Sequence, residues 1–173
     1  DYYSTNDKGA VMEFEDLAEQ CCDGGHGIKR LGVLRADVDN LGAAFIGGFI
    51  RYGKEEPEKY ATLSRYADLS RDLGMFFKLA VGKLCRGELN GFDNINQQQF
   101  SLYGLQKPVQ RKVHVVYSGG DDMFIVGAWD ELIELAVDIR RAFTRFTNGK
   151  LSFSAGLAMF SLSLIHISEP TRR

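Results

Sequence analysis

The apolar positions of the chain change period several times, and each change marks an element. From Met12 to Cys21, Phe14, Leu17 and Ala18 share one helical face, so a short helix is expected there. Ile28 to Ala36 carries a β-type run with Leu31, Val33 and Leu34, and it ends in the acidic string Asp37-Val38-Asp39-Asn40. Asp39 or Asn40 is suited to cap the helix that follows through Leu41, Ala44, Phe45 and Phe49. After Pro57 a longer helix is expected from about Glu58 to Arg86, with a stripe of Leu63, Tyr66, Leu69, Leu73, Phe76 or Phe77, Ala80 and Leu84. Residues 87–110 are rich in Gly, Asn and Gln, and read as a long loop without order of its own.

The second half is more sharply punctuated. Lys112–Tyr117 and Met123–Gly127 are two β-type runs joined by Ser118-Gly119-Gly120-Asp121-Asp122, which predicts a hairpin. Trp129 to Phe146 is the strongest helical pattern, with Trp129, Leu132, Ile133, Ala136, Val137, Arg140 and Phe143 as its expected inner face. Acidic residues open it and arginines close it, as the helix dipole favours. Asn148-Gly149 turns the chain into a last strand, Leu151–Leu157. The order β-α-α-β-β-α-β predicts an α+β fold of the ferredoxin-like kind, a mainly antiparallel sheet with helices on one face.

Composition narrows the function classes. The 173 residues include 21 Lys+Arg against 23 Asp+Glu, a net charge of −2 that argues against a generally basic nucleic-acid binder. No apolar run is long enough to span a membrane, and the polar start has no signal-peptide core. Three cysteines without CxxC spacing argue against a disulfide framework or a structural zinc site, so a reducing cytoplasmic setting is expected. P-loop, GxSxG and HExxH motifs are absent from the sequence.

The chemistry concentrates where strands end. Asp37 and Asp39 close the first strand, and Asp121 and Asp122 close the hairpin turn. A split βαβ sheet places the first strand beside that hairpin, so these carboxylates meet if the fold is right. Crowded carboxylates call for a compensating cation, and Mg²⁺ suits them because it takes hard oxygens and keeps positions open for phosphate. Gly119 and Gly120 give a tight turn and bare backbone N–H groups for a triphosphate. As an isolated string, Gly-Gly-Asp-Asp is only a good turn; the flanking strands and the earlier Asp-x-Asp favour catalysis. His114, Phe76 and Phe77 are expected to be structural.

Arg35-Ala-Asp-Val-Asp-Asn-Leu-Gly42 together with Val116-Tyr-Ser-Gly-Gly-Asp-Asp-Met-Phe-Ile-Val-Gly127 resembles the second Palm domain of the large subunit of type III-A CRISPR effectors. Leu69–Phe77 and Leu151–Gly156 follow the same pattern, and the resemblance covers roughly residues 12–160. That family shares the Palm, or nucleotidyl cyclase, fold with GGDEF diguanylate cyclases. The resemblance implies synthesis of cyclic oligoadenylates from ATP, activated when the complex has bound target RNA. It implies two Mg²⁺ (or Mn²⁺) ions held by Asp37, the Val38 carbonyl, Asp121 and Asp122, with Asp121 and Asp122 catalytic. Ser118, Gly119, Gly120, Asp39, Asn40 and Ser70 would serve the nucleotide, Asp39 and Asn40 by supporting the turn. Its partners would be the other effector subunits, with CRISPR RNA and target RNA reached through the complex, and no membrane.

By the same reading, residues 1–27 are a linker or the end of a preceding module, 28–160 the Palm domain, and 161–173 a non-native tail resembling translated adapter sequence. The family's HD nuclease, first Palm, zinc-binding and C-terminal helical modules find no counterpart in these residues. Its DNase activity is therefore not assigned to this chain, and the isolated chain is expected to be weakly active or inactive. The competing readings are a GGDEF-type purine nucleotide cyclase and a non-catalytic Palm that binds subunits or RNA.

Overall fold

A computed structural model describes residues 2–21, 28–88, 99–104 and 110–161. The Gly-rich connector with His26, Cys22, most of the 87–110 loop and nearly all of the 161–173 tail lie outside the described residues. The elements are α1 (Phe14–Glu19), β1 (Leu31–Val38), α2 (Leu41–Gly47), α3 (Leu63–Met75), a π turn (Phe76–Ala80), α4 (Val81–Cys85), β2 (Val113–Gly119), β3 (Asp122–Ala128), α5 (Trp129–Phe146) and β4 (Phe153–Phe160). After α1, the order is the β-α-α-β-β-α-β expected. The four strands form one antiparallel sheet in the order β2-β3-β1-β4.

Alternation along the strands sorts the two faces. Leu34, Ala36 and Val38 of β1 and Met123 and Ile125 of β3 join Leu73, Phe76, Phe77, Leu132, Leu135, Ile139 and Phe143 in the main core under α3–α5. Burying so many large side chains, each contributing about 1.5–3 kcal/mol, is what holds these helices to the sheet. The alternate residues Leu31, Val33, Phe124 and Val126 point the other way, where Met12, Leu17 and Ala18 cover them. Helix α1 thus shields one end of the opposite face and leaves the rest open. Residues 2–21 are tied to the sheet in other ways too. Tyr3 bridges His114, and the Ser4 N–H donates to His114 Nδ1 at 3.1 Å. His114 Nε2 then meets the Met12 carbonyl at 2.7 Å, which makes this buried histidine structural, as expected.

Several local expectations shift. Strand β1 runs to Val38 rather than ending before Asp37, because β3 keeps pairing with it through Asp37 and β4 through Val38. Helix α3 starts at Leu63, not Glu58, and Leu63 is 85 % exposed, so the buried stripe begins only at Leu73. The long helix is also interrupted by the π turn, a feature with no periodic signature in sequence. On α5 the buried face is Leu132, Leu135, Ile139 and Phe143, while Arg140 is exposed. The face is rotated because one flank of the helix turns its acids inward.

Those acids surround Arg111, whose side chain is completely buried. Its guanidinium pairs with Glu131 at 3.0 Å, with Asp138 at 2.9 Å and with Glu134, and donates to the Phe100 carbonyl at 2.7 Å. Asp138 and Glu134 in turn accept the backbone N–H groups of Phe100 and Leu102. Of the long loop, residues 99–104 are therefore latched to α5 and ordered. Burial pushes the Glu131 and Asp138 carboxyls up, against the pull of Arg111 and, for Asp138, of its bond from the Phe100 N–H. The folded chain then holds protons that the unfolded chain releases, so these two groups stabilise the fold most at low pH and progressively less as pH rises above the ordinary carboxylate range of about 4. We expect the urea midpoint to fall as pH rises from about 4, and Glu131→Gln to flatten that fall; a wild-type profile rising with pH from there and unaltered by Glu131→Gln would contradict it.

Candidate functional site

The β2–β3 hairpin closes on the pair Gly119 and Asp122, with Gly120 and Asp121 as its two-residue turn. Gly120 has φ +68°, the left-handed backbone that such hairpin turns need and glycine adopts without strain. Asp122 also lies directly across from Asp37 of β1. Both belong to the set of alternate residues that faces away from the helices, on the part of the sheet α1 leaves open. Two carboxylates far apart in sequence therefore occupy one cross-strand position. Like charges placed so repel, and among the described residues no lysine or arginine is ion-paired with Asp37, Asp121 or Asp122.

Asp121 is exposed at the turn, and its backbone carbonyl accepts the Val38 N–H at 3.0 Å, which locks the end of β1 to the hairpin tip. Among the described residues, no three His, Cys, Asp or Glu side chains gather closely enough to form a metal cage by themselves. Asp37 and Asp122 are the facing pair. One or two carboxylates completed by substrate phosphates is the usual way a protein holds Mg²⁺, so the donor set fits that ion.

Asp39 and Asn40 take other tasks. The Asp39 carboxylate accepts hydroxyl hydrogens from Ser152 at 2.7 Å and Ser154 at 2.6 Å. These two bonds hold its carboxyl below the usual range. Asn40 occupies the N-cap position of α2 at φ 52°, but its side chain makes no capping bond and Asp39 supplies none, contrary to the capping expected. The serines at 152 and 154 were not singled out by sequence reasoning, though hydroxyls at alternate positions of one strand were a readable signal. Beside them a cleft of about 780 Å³ opens between α2, α3 and the end of α5, lined by Asp39, Ala44, Leu69, Leu73, Phe146 and Ser152 among others. Ser70 is exposed on α3 next to Leu69 but does not line this cleft. Ser118 spends its hydroxyl on the Phe77 carbonyl of the π turn, at 2.6 Å.

The pairing of an Asp-terminated strand with a Gly-Gly-Asp-Asp hairpin has a counterpart in known proteins. The family model described as Cas10/Cmr2, second palm domain, matches residues 30–168. The chain belongs to this family. Cas10/Csm1 of subtype III-A from Enterococcus italicus, a CRISPR-system single-strand-specific deoxyribonuclease, is 45 % identical over 134 residues, 78 % of this chain and 14 % of the relative. The corresponding protein of Mycobacterium tuberculosis is 43 % identical over 152 residues, 87 % of this chain and 17 % of the relative. Among solved structures, a Csm1–Csm4 cassette in complex with cA4 superposes with a TM-score of 0.72 at 37 % identity, covering 92 % of this chain and 20 % of that one. The same cassette with AMPPNP gives 0.72 at 38 %, with 92 % and 20 % covered. The chain thus spans less than a fifth of the length of these two curated relatives. Its sheet and helices are those of the Csm1 palm domain. Among the described residues no helix is long and apolar enough to cross a membrane.

Proposed function

We propose that this palm domain carries the nucleotidyl-transfer site of a type III-A CRISPR large subunit, joining ATP into cyclic oligoadenylates when the complex has bound target RNA. The observation that carries the reading is the register pairing of Asp37 with Asp122 on the open face of the sheet, beside the bare Gly119-Gly120 backbone. Support also comes from family members solved with AMPPNP and with cA4, a nucleotide analogue and a cyclic adenylate. The partners of the site are then the other subunits of the effector, with guide and target RNA reached through them.

In each step a 3′-hydroxyl oxygen forms a bond to the α-phosphorus of a second ATP. The bond from that phosphorus to the bridging oxygen of pyrophosphate breaks, and the hydroxyl proton is given up. Asp37 and Asp122, with Asp121 and the Val38 carbonyl beside them, would hold Mg²⁺ or Mn²⁺, which supplies an activated hydroxyl and neutralises the leaving pyrophosphate. The Gly119-Gly120 backbone lets phosphates approach without a side chain in the way. Asp39, fixed by its two serines, shapes the wall of the neighbouring cleft instead of competing for the cation.

The test uses a type III-A effector whose large subunit carries this domain, given target RNA and Mg²⁺ with ATP or GTP. Cyclic adenylate products from ATP and little turnover of GTP are expected. Equal use of GTP would favour a GGDEF-type cyclase, and absence of any nucleotide product would favour a binding module.

A further inference from the structure

Strand β2 contains one irregularity. Val115 pairs with Ile125, but Tyr117 pairs with Phe124, so Val116 is an extra residue bulged out of the ladder. A regular strand would place Tyr117 on the same face as Val115, in the core, and Ser118 on the open face. The bulge reverses both, as bulges beside active sites often re-aim side chains.

The consequences fall on the acidic hairpin. Tyr117 emerges on the open face, half exposed, and its hydroxyl donates to the Gly119 carbonyl at 3.1 Å. Gly119 is the direct partner of Asp122, so the phenol is anchored at the register of that carboxylate. Ser118 turns to the helix face instead, opposite Met123, and its hydroxyl donates to Phe77 in the π turn. Ser118 thereby supplies a sheet hydroxyl to a main-chain carbonyl of the π turn. Consecutive side chains therefore fasten the hairpin base from both faces of the sheet.

We propose that the Val116 bulge is a positioning device: Tyr117 fixes the Gly119 backbone opposite Asp122, Ser118 pins the hairpin to the π turn, and together they set where Asp122 meets a divalent cation. The proposal rests on the reading of Asp122 as a metal ligand. Tyr117 and Ser118 act through the hairpin backbone that carries Asp122 and not on the substrate.

Mn²⁺ binding to the effector complex, followed by electron paramagnetic resonance with a non-hydrolysable ATP analogue, tests both layers. Losing a partner that orients a metal ligand costs about 10–100-fold in affinity or activity. Tyr117→Phe should weaken Mn²⁺ binding about tenfold or more by that measure, with the thermal midpoint unchanged because the side chain is half exposed. Ser118→Ala should lower kcat with the KM for ATP unchanged, and Ser118→Thr should restore it. If Asp122→Asn loses Mn²⁺ while Tyr117→Phe binds it as the wild type does, the positioning role is wrong and the site reading stands. If Asp122→Asn itself binds Mn²⁺ normally, the site reading fails and the positioning role falls with it.

Discussion

Asp122→Asn in a target-bound effector complex is expected to cut oligoadenylate synthesis at least about 100-fold, since even partners that merely orient metal ligands cost 10–100-fold. The same change is expected to leave folding intact. Asp122 faces Asp37 across the sheet, and no lysine or arginine among the described residues pairs with either. Removing one of two like charges at a cross-strand position relieves repulsion and breaks no ion pair. The informative signature is therefore a separation: activity collapses while the thermal midpoint stays level or rises slightly. A structural acid would do the reverse, losing stability first and activity only as the fold fails. Product chromatography and thermal unfolding on one preparation distinguish the two.

Arg111→Met is the opposite kind of change and is expected to destabilise the chain by about 3–5 kcal/mol, the cost of removing one partner from a buried ion pair. The guanidinium is the centre to which Glu131, Glu134 and Asp138 are paired, and it also donates to the Phe100 carbonyl. The surroundings oppose each other. Burial alone would strip its charge, yet Glu131 and the hydrogen bonds it donates to the three acids outweigh it and raise its pKa. Without the cation, three inward-facing carboxylates must take up protons or open the helix to water. Residues 99–104 lose their latch at the same time. Lysine cannot substitute, because a point charge does not span Glu134, Asp138 and a carbonyl as a planar fork does. Denaturant unfolding reads the change directly; a loss under about 1 kcal/mol would place the pairs in the class of exposed ones.

These two residues also show what could be read from sequence and what could not. Strands ending in Asp-x-Asp and Gly-Gly-Asp-Asp carry their own punctuation, so the hairpin, the order of elements and the meeting of Asp37 with Asp122 were all legible. Arg111 was not, because one charged residue before a strand has no period. The acids at 131, 134 and 138 were the available clue, spaced three and four apart on α5, but their side of the helix reads as solvent until the loop that covers it is known. The π turn and the Val116 bulge were equally hidden. Each is seen only once partners distant in the chain are in place, Ser118 bonded to the one and β3 paired with the other. Helix α1 was readable as a helix, but its place on the second sheet face follows from the alternation of Leu31, Val33, Phe124 and Val126 only once the strands are paired.

The most direct test of the central claim is the position of Mn²⁺ in crystals of a large subunit carrying this domain, grown with an ATP analogue and located by anomalous scattering. A peak is expected between the Asp37 and Asp122 carboxylates, on the open face of the sheet beside Gly119 and Gly120. Mn²⁺ bound with the nucleotide while both carboxylates remain unligated would contradict it.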